Sequence, residues 1–230
     1  MAALDHILER HSVWRGGRLS ASASATPTGF EALDRELPGG GWPRGTLTEL
    51  LVGRAGIGEL RLVLPALAAL SWAGRRIAWL APPHLPYAPA LAQARIALEH
   101  CLVIRPARNE DALWAAEQAM RSGACGAVLA WLGESVDYAI LRRLEMAAEA
   151  GRTMALVFRS TAAERTSTPA HLRVVVAHDD GALAIRIPKR RGPPMIESIK
   201  LEIGRKPSPK PERELRSNVI SIHELIRVSA

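Results

Sequence analysis

Leu50-Leu51-Val52-Gly53-Arg54-Ala55-Gly56-Ile57-Gly58-Glu59-Leu60 is an apolar run that enters a glycine-framed loop and leaves it for a second apolar stretch. Gly53 and Gly58 stand where the framing glycines of G-x-x-x-x-G-K-[ST] stand, after a strand and before a helix, the setting in which that loop cradles phosphates. The residues that act are replaced. The intact loop uses lysine to neutralise the β/γ-phosphates and Ser/Thr to ligate Mg²⁺, whereas Glu59 offers a carboxylate and Leu60 has no oxygen. No lysine nearby substitutes, because the four in the chain are Lys189, Lys200, Lys206 and Lys210 and residues 1–188 contain none. The pattern is that of an NTPase scaffold put to another use.

Outward from this loop the sequence is regular. Strand-length apolar runs at Thr46–Val52, Arg76–Ala81, Cys101–Arg105, Cys125–Leu132 and Thr153–Phe158 alternate with stretches of helical length. That alternation predicts an α/β fold with a mainly parallel sheet flanked by helices. Asn109 is placed to cap a helix whose first turn holds Glu110 and Asp111, with Leu113, Ala116 and Met120 inward and Gly123 closing it. The helix from Gly58 to Ala73 contains Pro65 and is expected to bend there. Two further strands, Leu172–Ala177 and Leu183–Ile187, are joined by the hairpin signal His178-Asp179-Asp180-Gly181. Trp72, Trp79, Trp114 and Trp131 lie within apolar elements and read as core.

The 230 residues divide into an N-terminal helix and linker (1–25), a core with the degenerate loop (26–194), and a basic Pro/Lys-containing tail (195–230). The first ten residues carry both charge signs and no long apolar segment, and the stretch 62–74 is too short to span a bilayer. A cytoplasmic protein without membrane contact is expected. Cys101 and Cys125 begin apolar runs and read as buried thiols. The net charge of +7 is uneven: residues 1–188 hold 20 Lys+Arg against 18 Asp+Glu, and residues 189–230 hold 10 against 5. A basic tail of this kind attracts nucleic acid or acidic protein surfaces, or simply aids solubility.

Two groups of motifs carry a resemblance. Thr28-Gly29-Phe30-Glu31-Ala32-Leu33-Asp34, followed by the Gly-rich turn 37–45, resembles the lead-in to the ATP-binding core of RecA-like recombinases. Leu37-Pro38-Gly39-Gly40-Gly41-Trp42-Pro43, Gly56–Leu60, Ala81-Pro82-Pro83-His84-Leu85-Pro86-Tyr87, Asp111–Gln118 and Ser122–Leu129 together resemble the bacterial ImuA proteins, RecA-like accessory factors of SOS mutagenesis related to the SulA division inhibitors. The resemblance covers residues 4–194 and implies a RecA-like, P-loop NTPase-type sheet. It also locates what is absent. The Mg²⁺-ligating acid expected at the end of the fourth core strand falls in Val128–Leu132, and the general base expected after the second falls in Ala81-Pro82-Pro83. Glu134 and Asp137 are the nearest acids. A pseudo-NTPase without catalytic residue, metal or cofactor is therefore expected.

The resemblance implies a non-catalytic mediator of translesion DNA synthesis. It would bind RecA and ImuB, a polymerase-like partner, and through them act with an error-prone replicative-type polymerase. In Ile187-Pro188-Lys189-Arg190-Arg191 the positions Lys189 and Arg191 match the paired lysines with which recombinases reach a neighbouring protomer's nucleotide, and Arg190 lies between them. The DNA-contacting loops of recombinases are reduced here to 133–135 and to about ten residues containing Arg159 and Arg165, so any DNA contact falls to the basic tail. The alternative is a SulA-type inhibitor binding the division protein FtsZ. Seven histidines show no metal spacing, and His178-Asp179-Asp180 is explained by its turn.

Overall fold

The computed structural model describes residues 24–133, 136–192, 195 and 197–202. The N-terminal helix expected near 4–14, Glu134, Pro193, Pro194 and the tail beyond 202 lie outside the described residues. Chain order is β1 (Ala25–Thr26), α1 (Glu31–Asp34), β2 (Trp42–Pro43), β3 (Thr46–Val52), α2 (Glu59–Trp72), β4 (Arg76–Leu80), α3 (Ala88–Gln93), β5 (Cys101–Ile104), α4 (Asn109–Arg121), β6 (Cys125–Trp131), α5 (Tyr138–Gly151), β7 (Met154–Ser160), β8 (Leu172–Asp179), β9 (Ala182–Lys189) and β10 (Ile199–Leu201).

Eight strands form one sheet in the order β10-β9-β8-β3-β7-β6-β4-β5, parallel from β8 through β5, with β9 and β10 antiparallel at one edge. The sheet thus continues past 194, since Ile199–Leu201 pairs with Leu183–Ile185. β3 is central, between β7 and β8, and Thr46 through Leu51 are buried, as expected for a parallel strand covered on both faces.

Side chains alternate across the sheet with the two-residue period of a strand. Ile77, Trp79, Leu129, Leu156 and Phe158 face α2, which lays Leu62, Val63, Ala66 and Leu67 on them. Ala78, Leu80, Val128, Ala130, Ala155 and Val157 face α4 and α5. The second layer is built of small residues, Ala112, Ala115, Ala116 and Ala119 meeting Ala147 and Ala148. The helices come so close that a Cβ on Gly151 would lie 1.9 Å from the Met120 carbonyl oxygen.

α2 is one helix through Pro65, which packs where Gly29, at φ +85°, leaves room: a Cβ there would sit 2.6 Å from Pro65 Cβ. Two local expectations change. Asn109 is the first residue of α4 rather than its cap; Arg108 precedes the helix and instead pairs with Asp111. Trp79 is fully buried, but Trp72 and Trp114 are exposed on the outer faces of their helices. The Asp180-Gly181 turn joins β8 to β9 as expected, with both residues at positive φ. Cys101 and Cys125 are buried free thiols, and burial raises both.

Candidate functional site

The degenerate loop leaves the carboxyl end of β3, where parallel sheets of this kind bind ligands. Gly56 and Gly58 adopt positive φ, +83° and +101°, which turns their amides into the concavity that holds phosphate in an intact loop. Those amides are already used. Glu59 folds back: Oε1 accepts from the Gly56 amide at 3.0 Å and Oε2 from the Gly58 amide at 3.1 Å. Its side chain is buried. The carboxylate that sequence placed in opposition to a polyphosphate thus takes up loop donors itself, at the positive end of α2, where an anion is stabilised. Leu60 and Ile57 pack onto the apolar cluster beneath.

The adjoining positions are equally filled. Trp131, where a Mg²⁺ ligand was sought, stacks on Phe158 with ring centroids 4.4 Å apart and faces Trp79 at 6.2 Å. This aromatic ladder crosses the ends of β4, β6 and β7 on the α2 face. Ala81, at the base position, takes φ +48° and donates its amide to the Ile104 carbonyl. Asp137 is committed to α5, whose Ile140 amide it caps at 2.8 Å. Among the described residues no group of three or more His, Cys, Asp or Glu is arranged to hold a metal.

At the opposite end of the sheet, where the parallel strands begin, lie Lys189, Arg190 and Arg191. Arg173 is opposite Lys189 while Val175 is opposite Arg186, so β9 carries one extra residue around Pro188. That bulge turns Lys189 onto the Arg173 face. The three cations then part company. Arg190 points inward, its side chain 7% exposed, and donates to the Glu36 carboxylate and to the Glu36 carbonyl at 2.6 Å. Lys189 donates to the Thr168 carbonyl at 2.7 Å, and Arg191 Nη2 approaches His171 Nε2 at 2.7 Å. Partial burial and then the Arg173 charge hold the Lys189 ammonium below its ordinary range.

Arg159 and Arg173 are paired with Glu49, Arg186 with Glu164 and Lys200 with Asp179. Among the described residues neither Lys189 nor Arg191 has a carboxylate at ion-pair distance. Glu49 and Glu145 act on Lys189, and Glu145 on Arg191, only at longer range.

Two buried clusters escaped the sequence reading. Glu49, fully buried on β3, accepts from Arg159 Nη1 at 2.6 Å and from Arg173 Nε at 2.8 Å. Arg159, expected in a DNA loop, is therefore a core residue. Glu145, on the apolar face of α5, accepts the Leu47 amide at 2.7 Å and lies 3.1 Å from His171 Nδ1. Burial raises its carboxyl to about 7 against the Leu47 hydrogen bond, and burial with the neighbouring Arg191, Lys189 and Arg142 charges lowers His171 to about 4. The signal was present in both cases: a lone acid within Thr46–Val52, and one at helical spacing with Leu141, Leu144 and Ala148.

The family model described as "Cell division inhibitor SulA" matches residues 45–155, from the start of β3 into β7. The chain is 32% identical to RecA 1 of Myxococcus xanthus over 153 residues, covering 66% of this chain and 43% of that protein. It is 33% identical to RecA of Bacillus subtilis over 115 residues, covering 50% and 32% respectively. It thus spans less than half the length of these curated relatives. The solved structure of SulA from Pseudomonas aeruginosa matches with a TM-score of 0.42 at 28% identity, over 49% of this chain and 97% of that one. By the family model and the curated relatives, this chain is similar in sequence to SulA over 45–155 and to RecA over about two thirds of its length, and it reads as RecA-like and SulA-related.

Proposed function

We propose that this protein is a non-catalytic, RecA-like accessory factor of the SOS response, of the ImuA type, that binds RecA and an ImuB-like partner in error-prone translesion synthesis. The observation that carries it is a division of labour between the two ends of the sheet. At one end Glu59 occupies the amides that would hold a phosphate; at the other, Lys189 and Arg191 have no described carboxylate at ion-pair distance. Loss of the first removes nucleotide-driven turnover. Retention of the second gives a surface for a RecA protomer's bound nucleotide.

Because the two surfaces sit at opposite ends of the strands, such a molecule engages a head-to-tail polymer from one side only. It joins an end and offers no working nucleotide site to the next protomer. Charge reversal at Lys189→Glu with Arg191→Glu should abolish capture of RecA in a pull-down from purified components. Unchanged capture would refute the assignment of this surface.

A second reading, division inhibition through FtsZ, draws on the SulA match, whose residues 45–155 exclude Lys189 and Arg191. It predicts filamentous growth on overexpression without the polymerase partner, and growth unaffected by the charge reversal.

A further inference from the structure

α2 departs from the pattern of a helix at a surface. Its inner face packs on the sheet through Leu62, Val63, Ala66 and Leu67, and the outer face of such a helix ordinarily carries polar and charged residues. Here Pro65, Ala69, Trp72 and, one residue on, Ala73 are exposed instead, and no side chain from Leu62 to Gly74 is charged. α3 stands beside it, also without a charge of its own. Between the two runs a cleft lined by Ala68, Ala69, Trp72, Ala92, Arg95 and Ile96.

Trp72 forms one wall of this cleft. It is 73% exposed, yet the ring is held, because Nε1 donates to the Arg95 carbonyl at 2.6 Å. A second link ties the same two segments: the Ala97 amide donates to Ser71 Oγ at 3.0 Å, and that hydroxyl donates to the Ala68 carbonyl at 2.8 Å. A large aromatic side chain fixed in water beside an apolar cleft has met its ordering cost before a partner arrives, the condition of a binding hot spot.

The charges decide which partner fits. Between residues 60 and 98 the charged side chains are Arg61, Arg75, Arg76 and Arg95, and none is acidic. Arg95 lines the cleft, and Arg76 is exposed at the start of β4, just past the end of α2. A second copy, meeting this patch with the same patch, would set arginines against arginines. We propose that the α2–α3 face is a docking site for an amphipathic helix of a partner protein, its apolar side seated on Trp72 and the cleft and its flanking acids meeting Arg95 and Arg76. The site uses neither Lys189 nor Arg191 and gives the chain a second, chemically distinct class of partner.

Fluorescence anisotropy tests this with a labelled helical peptide of about four turns, carrying leucines along one side and glutamates flanking them, and with its counterpart in which lysines replace the glutamates. The full chain should bind the glutamate peptide saturably and the lysine peptide about tenfold more weakly or worse. Trp72→Ala should weaken the glutamate peptide by about thirtyfold, the effect of losing one hot-spot aromatic. Arg95→Glu keeps the carbonyl that holds Trp72 and should reverse the preference between the two peptides. Absence of saturable binding, equal affinity for the two peptides, or binding unaltered in both variants overturns the proposal, and the wild-type comparison decides even if a variant does not fold. Sedimentation that shows a wild-type dimer converted to monomer by Trp72→Ala also overturns it, because a second copy then fills the face.

Discussion

Glu59 turns back onto its own loop and accepts from the Gly56 and Gly58 amides. A lysine there would extend toward a ligand; the carboxylate turns back and supplies the anion that the loop amides otherwise lack. Two charge-assisted hydrogen bonds are at stake, so Glu59→Gln should lower stability by about 1–2 kcal/mol in urea unfolding. Isothermal titration of the wild type with MgATP should give no saturable binding, and micromolar, Mg²⁺-dependent binding would contradict this account of the loop.

Glu145 and His171 give a second prediction at this scale, with opposite signs. The Glu145 carboxyl is raised from 4.5 to about 7, so the native state holds the extra proton and stability falls as pH rises through that window. His171 is lowered from 6.5 to about 4, so the unfolded state holds the extra proton and stability rises between those values. In the wild type the two nearly cancel from pH 4.5 to 6.5. Glu145→Gln should uncover the rise, up to roughly 3 kcal/mol, in unfolding curves across that range. A variant profile as flat as the wild type's would show that the two groups do not titrate as a buried pair.

At the scale of elements, every strand of the parallel array was legible, because apolar runs separated by helical stretches permit few other arrangements. Pro65 does not split α2, and the contact it makes with Gly29, distant in sequence, is one that no local pattern shows. Trp72 and Trp114 were misread because an apolar neighbourhood in sequence does not say which helical face is covered. The Glu49–Arg159–Arg173 cluster joins three strands, a pairing that no local pattern encodes. The crossing of α4 and α5 gives a prediction of its own. Gly151→Ala places a methyl 1.9 Å from the Met120 carbonyl, forcing two backbones apart, and should cost about 1–3 kcal/mol in thermal or urea unfolding. A change below about 0.5 kcal/mol would mean that the helix ends separate freely.

For the whole molecule, the replaced loop residues could be read one by one in the sequence, while the arrangement of the basic residues had to be read in space. Lys189, Arg190 and Arg191 are adjacent in sequence, yet only folding distinguishes them: one is turned inward to Glu36, and two, without an ion-pair carboxylate among the described residues, lie at the strand-start end, away from the loop. Among the described residues no helix is long and apolar enough to cross a membrane. The two-ended arrangement proposed above, a blocked loop at one end and Lys189 and Arg191 at the other, would make the molecule an end-piece for a head-to-tail polymer. Imaging of RecA filaments assembled on single-stranded DNA with this protein in excess tests the idea most directly. Shortened filaments with the wild type, and normal lengths with Lys189→Glu/Arg191→Glu, are the predicted result; filaments unaffected by the wild type at excess would contradict it.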